Sequence, residues 1–340
     1  MTRTSQDMEA KERMAQEKRT IGTMILNRPE IMIFIAFAII FCAFAAVRPD
    51  AFLSMINIRN MTTELAMMMF LSVGMTFVIV SAGIDLSVGA ILVFSGVCSV
   101  LVMRTLGVDH PLSPWIGLLV AMLTGTVWGV VNGVFVARAG LPPLIVTLAT
   151  MGIALGGARL LSGGVDLTGV PRSLVNTIGV GRVFGVPVLF LISAAFTVAA
   201  GIVLQRTRFG LHTYAIGSNP QGAERAGINV TRHLLVVYAI SGFCAGLAGY
   251  LTLSRFAATT IAGHSMDNLK AITAVVLGGA SLFGGSGTMA GTAIGAAIPV
   301  TLASGLVIIG LPSFWQEVAV GIVLLAAVLF DQWRRKRREY

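Results

Sequence analysis

Residues 114–136 read PWIGLLVAMLTGTVWGVVNGVFV, a stretch without one ionisable side chain. A helix needs roughly 20 mostly apolar residues to cross about 30 Å of hydrocarbon, and this segment has that length. Working outward, similar apolar segments lie at 29–47, 62–82, 87–105, 141–161, 184–204, 233–253, 269–284, 288–309 and 313–331. These are continuous runs, whereas a transmembrane barrel alternates polar and apolar residues in segments of about ten. The expected fold is therefore all-α: a polytopic membrane protein of about ten transmembrane helices, with one or two of them broken.

Composition agrees. Of 340 residues, 56% are hydrophobic and only 11% charged, with a mean hydropathy of +0.86. A soluble domain carries charge on about 25% of its residues, which keeps its surface wet. With the N-terminus inside, ten crossings return the C-terminus to the same side. The inside pieces then hold Arg3, Lys11, Arg13, Lys18, Arg19, Arg28, Arg138, Arg206, Arg208, Arg225, Arg232 and the run Arg334–Arg338, which is 16 of the 24 Lys and Arg residues. That is the positive-inside bias, so the net charge of +9 reports topology and not a nucleic-acid partner. The chain divides into a basic cytoplasmic tail at 1–28, a transmembrane domain at 29–333 and a second basic cytoplasmic tail at 334–340. Ala43-Phe44-Ala45 resembles a signal-peptidase site, but the polar tail before it is long for a signal, and the segment reads as a retained first helix. Cys42, Cys98 and Cys244 all fall in apolar segments and read as buried small hydrophobes.

Glycines recur at helical spacing: Gly125, Gly129 and Gly133; Gly242 and Gly246; Gly287, Gly291 and Gly295. Such ridges let helix backbones approach closely, either within the chain or along a homodimer seam. Two places break the helical pattern. One is Gly83-Ile84-Asp85-Leu86-Ser87-Val88-Gly89, where Asp85 and Ser87 are both N-cap types and a helix is expected to restart. The other, residues 277–287, has five glycines in eleven residues, among them Gly279, Gly284 and Gly285, with Ser281 between them. Two readings fit both breaks. They are tight cytoplasmic turns, or they are broken helices lining a solute path, where a carboxylate such as Asp85 is functional. Glu64, Arg159, Lys270, Glu317 and Asp331 lie near helix ends and read as interface anchors.

The long inside loop, 205–232, reads QRTRFGLHTYAIGSNPQGAERAGINVTR. Asn219 followed by Pro220 supplies an N-cap and a first-turn proline, and Gly227 a C-terminal stop. Ser218 with Gln221 is an alternative capping box. About two turns lie between, too short to stand alone in water, so this helix needs a surface to rest on.

TRFGLHTYAIGSNPQGAERAGINV at 207–230 looks like the cytoplasmic coupling loop of ATP-binding-cassette importer permeases, with AERAGI at 223–228 close to their EAA-type motif. GMTFVIVSAGIDLSVGA at 74–90, NGVFVARAGLPPLIVTLAT at 132–150, VYAISGFCAGLAGYL at 237–251 and DNLKAITAVVLGGASLFGGSGTMAGTAIGA at 267–296 extend the likeness. Together, from about residue 52 to 331, they resemble the ribose/xylose-type permease family of sugar importers. The resemblance implies a multi-pass subunit of the bacterial inner membrane, forming the pathway for a monosaccharide or sugar-like solute. It implies three protein partners: an ATPase subunit, a second permease subunit (identical or a sister) and a periplasmic solute-binding protein. Ser218, Asn219, Pro220, Gln221, Ala223, Glu224, Arg225 and Gly227 would form the ATPase-coupling helix. ATP and Mg would bind the partner ATPase. This chain would carry no cofactor, metal or catalytic residue, and it has no GxxxxGK[ST] phosphate loop. A branched-chain amino-acid permease is a neighbouring alternative. An ion-coupled carrier is a more distant one, since no series of carboxylates runs along a single helix.

Overall fold

The structure, a computed structural model, describes residues 29–336. The basic tail at 1–28 and residues 337–340 lie outside the described residues. Six long helices come first: α1 (Pro29–Val47), α2 (Met55–Val80), α3 (Val88–Leu106), α4 (Ser113–Gly133), α5 (Pro143–Ser162) and α6 (Val188–Arg206). Two short helices follow, α7 (Arg208–Ser218) and α8 (Pro220–Arg225). The chain then forms α9 (Val230–Phe256), α10 (Asp267–Leu277), α11 (Met289–Ile308) and α12 (Phe314–Lys336). A two-residue hairpin, β1 (Arg182–Val183) with β2 (Val186–Pro187), precedes α6. The face that carries residues 207–229 is termed proximal below, and the opposite face distal.

Eight of the described helices, α1 to α6, α9 and α11, are long and apolar enough to cross a membrane, and α12 has a shorter apolar stretch at Phe314–Leu329. The expected span at 269–284 is corrected. At 11 residues α10 is about 16 Å long, half of what the hydrocarbon requires. It stops at Gly278 and Gly279, and the latter has a left-handed φ of +84° that ends the helical path. Non-helical chain at 257–266 and 278–288 flanks it. Two helices begin earlier than their apolar cores suggested. Ser54 accepts from Asn57 N and starts α2, and Asn229 accepts from Arg232 N at 2.8 Å and starts α9. At the far end α12 runs on through Lys336, past the expected limit of the transmembrane domain.

The glycine ridges explain the packing. Helix α9 is the central element, packed against α4, α3 and α2. A side chain on Gly125 would strike the Gly242 carbonyl, and one on Gly129 the Tyr238 carbonyl. Gly246 and Gly249 meet the carbonyls of Ala121 and Leu92 in the same way, while Gly291 and Gly295 meet those of Gly278 and Ala274 on α10. These ridges are used inside the chain, where they let helix backbones approach closely. Helix α1 packs on α11, with the Phe44 ring against Gly305. Outside, α4 presents an exposed apolar row of Trp115, Leu119, Leu123 and Val127, as a lipid-facing helix does.

Candidate functional site

After α2 the chain turns through Ser81, Ala82 and Gly83, and Gly83 N donates to Val78 O at 2.9 Å. Asp85 follows, fully buried. Its Oδ1 accepts from Ser87 N at 3.0 Å and from Ser87 Oγ at 2.5 Å, and its Oδ2 accepts from Ser241 Oγ of α9 at 2.7 Å. Asn132 Nδ2 of α4 donates to Ser87 Oγ at 2.8 Å, and Thr150 Oγ1 of α5 donates to Asn132 Oδ1 at 2.7 Å. The backbone is held as well: Thr147 Oγ1 donates to Ile84 O at 3.3 Å and Asn268 Nδ2 of α10 to Leu86 O at 3.1 Å. Four helices thus converge on one irregular segment of seven residues, 81–87. A buried polar group without partners costs several kcal/mol, and this network meets that cost with donors from distant helices.

This geometry fixes the depth of Asp85 within the bundle. Ser241 lies roughly 16 Å along α9 from its proximal end at 1.5 Å per residue, so Asp85 sits deep in the bundle and not in an interfacial turn. Ser87 precedes α3 but makes no side-chain cap bond, because its hydroxyl is committed to Asp85 and Asn132. No cation pairs with Asp85 among the described residues. The Tyr238 hydroxyl, buried beside Gly83, has no hydrogen-bond partner among them. Immediately after Asn132 and Gly133, α4 loosens into a π-helical turn at Val134–Arg138, a feature often found at functional sites.

The second break lies at the proximal face, against the loop that follows α6. Gly285 N donates to Val80 O at 2.9 Å. A side chain on Gly217 of α7 would collide with that same Val80 carbonyl, and one on Gly284 would meet Ala82 and the Gly217 carbonyl. Gly285, with φ +74°, lies against Ser218, and Tyr214 Oη donates to Gly287 O at 2.6 Å. Ser281 Oγ donates to Asp331 of α12 at 3.0 Å, so Asp331 is tied to this break and not only to a helix end. The end of α2, the glycine-rich break and the end of α7 therefore meet backbone to backbone, and the Asp85 segment begins at that junction.

Asn219 follows α7 directly. Its Oδ1 accepts from Gly222 N at 2.9 Å, and Gly227 has φ +84°, so the cap and the stop stand where they were expected. Ser218 is corrected: it is the last residue of α7 and takes no part in capping α8. Ala223 is buried against the chain's own helices, while Gln221, Glu224 and Arg225 are exposed. α8 thus rests one side on the bundle and leaves its outer side open. Sequence reasoning missed Asn132, Thr150, Ser241 and Tyr238. They are uncharged residues in mid-helix, and no local signal marks them.

A helical bundle that crosses a membrane many times, with irregular backbone held by buried polar groups and a helical loop on one face, defines a membrane transport component. Residues 57–328 match the family model described as branched-chain amino acid transport system / permease component, and the chain belongs to that family. It is similar to the ribose import permease protein of Bacillus subtilis (strain 168), with 37% identity over 94% of this chain and 98% of that protein. It also resembles the D-allose transport system permease protein of Escherichia coli (strain K12), at 36% over 88% of this chain and 90% of that one. A third relative is the fructose import permease protein of Rhizobium meliloti, at 33% over 91% of this chain and 87% of that one. No solved structure matches the chain.

Proposed function

We propose that this chain forms the membrane pathway for a monosaccharide or sugar-like solute as the permease subunit of an ATP-binding-cassette importer. The family description names amino acids, but the ribose, allose and fructose permeases among its relatives favour sugars over branched-chain amino acids. ATP hydrolysis belongs to a separate ATPase subunit, and a periplasmic binding protein delivers the solute at the distal face. The membrane is the bacterial inner membrane, with the proximal face and both termini cytoplasmic. A second permease subunit completes the pathway.

In this reading α8 is the coupling helix, and its open side, with Gln221, Glu224 and Arg225, seats in a groove of the ATPase. Movement of the ATPase displaces α7 and α8 together. The observation that carries the reading is the junction of Gly217, Val80 and Gly285, where no side chain cushions the contact. Displacement there acts directly on both irregular segments. The Asp85 network is the element with two arrangements: closed by the bonds to Ser241 and Ser87, or opened as those donors turn to solute or water.

The test is uptake of radiolabelled D-ribose, D-allose and D-fructose by cells that express the complete transporter and lack other routes for these sugars. Gly217→Val is expected to lower uptake at least tenfold while the chain still inserts and still copurifies with the ATPase. Normal uptake by this variant would remove the junction from the mechanism. Uptake that survives ATP depletion but collapses with an ionophore would place the chain among ion-coupled carriers instead.

A further inference from the structure

A second polar cluster lies on the distal side of the Asp85 break. A cavity of about 130 Å³ opens between α2, α9, α10 and the connection at 257–266, lined by Glu64, Phe256, Thr260, His264, Asp267 and Lys270 among others. Asp267 is bonded on both oxygens: Oδ2 to His264 Nδ1 at 2.6 Å, and Oδ1 to Lys270 Nζ at 3.3 Å. His264 Nε2 lies 2.7 Å from Thr260 Oγ1, and Arg255 reaches across from α9 to Glu64 of α2 at 2.5 Å. Glu64 and Lys270, read from the sequence as interface anchors, both line the cavity and are both paired.

Ionisable groups inside a membrane bundle are costly and persist where they face a partner, a cavity or a pathway. Here the side chains of His264 and Asp267 are 9% and 11% exposed, while Lys270 and Glu64 keep 25% and 42%, and all four line the cavity. The volume compares with the ~150 Å³ of an engineered cavity that admits benzene, so one ring-sized molecule is the scale of the guest. Beyond their pairing, Lys270 Nζ keeps further N–H groups and Glu64 a second carboxylate oxygen, bonding capacity that an apolar ring would not use. A ring that carries hydroxyls on its edge and C–H groups on its face matches the lining, with Glu64, Thr260, Asp267 and Lys270 for the hydroxyls and the Phe256 ring for the face.

The cavity also adjoins the break. Asn268, next to Asp267 in the first turn of α10, donates to Leu86 O at 3.1 Å. A side chain on Gly89 would come within 2.7 Å of the His264 carbonyl, so the connection presses on the start of α3. We propose that this cavity is a polyol subsite that holds the hydroxyls of one monosaccharide on the distal side of the break, before the solute passes Asp85. The proposal rests on the sugar-importer reading above and adds the place where this chain itself contacts the solute.

The test uses the complete transporter in proteoliposomes, with Cys42, Cys98 and Cys244 replaced and Met68, which lines the cavity, changed to Cys. A methanethiosulfonate reagent labels the new thiol in the presence of D-ribose, D-allose, D-fructose or, as a control, L-leucine. The transported sugar is expected to slow labelling at least fivefold, L-leucine to leave it unchanged, and Asp267→Asn to abolish the protection without changing the rate in the absence of sugar. If Met68→Cys does not assemble, Leu71→Cys on the same lining replaces it. Uptake of each probe by the unmodified transporter is measured in parallel. A sugar that is carried but gives no protection overturns the subsite and leaves the importer reading standing. Failure to carry any of the sugars overturns the importer reading, and the subsite with it.

Discussion

Asp85 and Ser241 stand 156 positions apart in the chain, yet they share a hydrogen bond of 2.7 Å in the middle of the bundle. Each bond to a buried carboxyl contributes about 1–3 kcal/mol when the alternative is an unsatisfied group. Ser241→Ala is therefore expected to destabilise the chain by about 1–3 kcal/mol, read as a lower midpoint of thermal unfolding in detergent. Asp85→Ala is expected to lower sugar uptake at least tenfold while insertion and ATPase binding persist, as copurification from membranes will show. Combining the two should cost less than their sum, because both act on one bond. Wild-type transport by Asp85→Ala would leave Asp85 with a structural role alone. At this scale the sequence marked Asp85, Ser87 and the glycines of both breaks, since charge and backbone-breaking residues stand out in an apolar chain. It could not mark Asn132 or Thr150, whose roles exist only once α4 and α5 carry them to Ser87.

Among the elements, the glycine faces and the coupling loop make separate demands. Gly129 faces the Tyr238 carbonyl with no room for a side chain, so Gly129→Val must push α4 from α9. Overpacking of this kind costs typically 1–3 kcal/mol or more, and size-exclusion chromatography in detergent should show loss of the monodisperse species. Helix α8 responds differently, because its outer side carries little of the fold. Glu224→Lys is expected to abolish uptake without loss of inserted protein, by reversing charge on the open side of α8. Gly227→Pro should do the same, because Gly227 has φ +84° and proline is confined near −65°. Normal import by both variants would withdraw the coupling role of α8. The ends of α8 were legible from Asn219, Pro220 and Gly227, whose effects are local. Helix α7 was not foreseen: its stability comes from resting on α6 and α2, which no window of sequence displays.

For the whole molecule, the testable property is sidedness. Gln221 on α8 and Phe184 at the tip of the β1–β2 hairpin are both exposed, at opposite faces of the bundle. In intact spheroplasts, Phe184→Cys is expected to react with a membrane-impermeant maleimide and Gln221→Cys only after permeabilisation. The reverse pattern would invert the topology. The long apolar runs determined by themselves that this chain is a helical membrane bundle, because hydrocarbon leaves an isolated backbone segment no partner except its own helix. The punctuation of glycine, proline and asparagine determined where helices break. What only the tertiary structure decided is where those breaks lie in depth and what they touch. It set Asp85 at mid-bundle under Ser241, reduced the eighth span to a half-length helix, and joined the glycine-rich break to α7 at Val80. The reason is physical: helix formation depends on neighbours three and four residues away, whereas the partners of a buried polar group are chosen by packing across the chain.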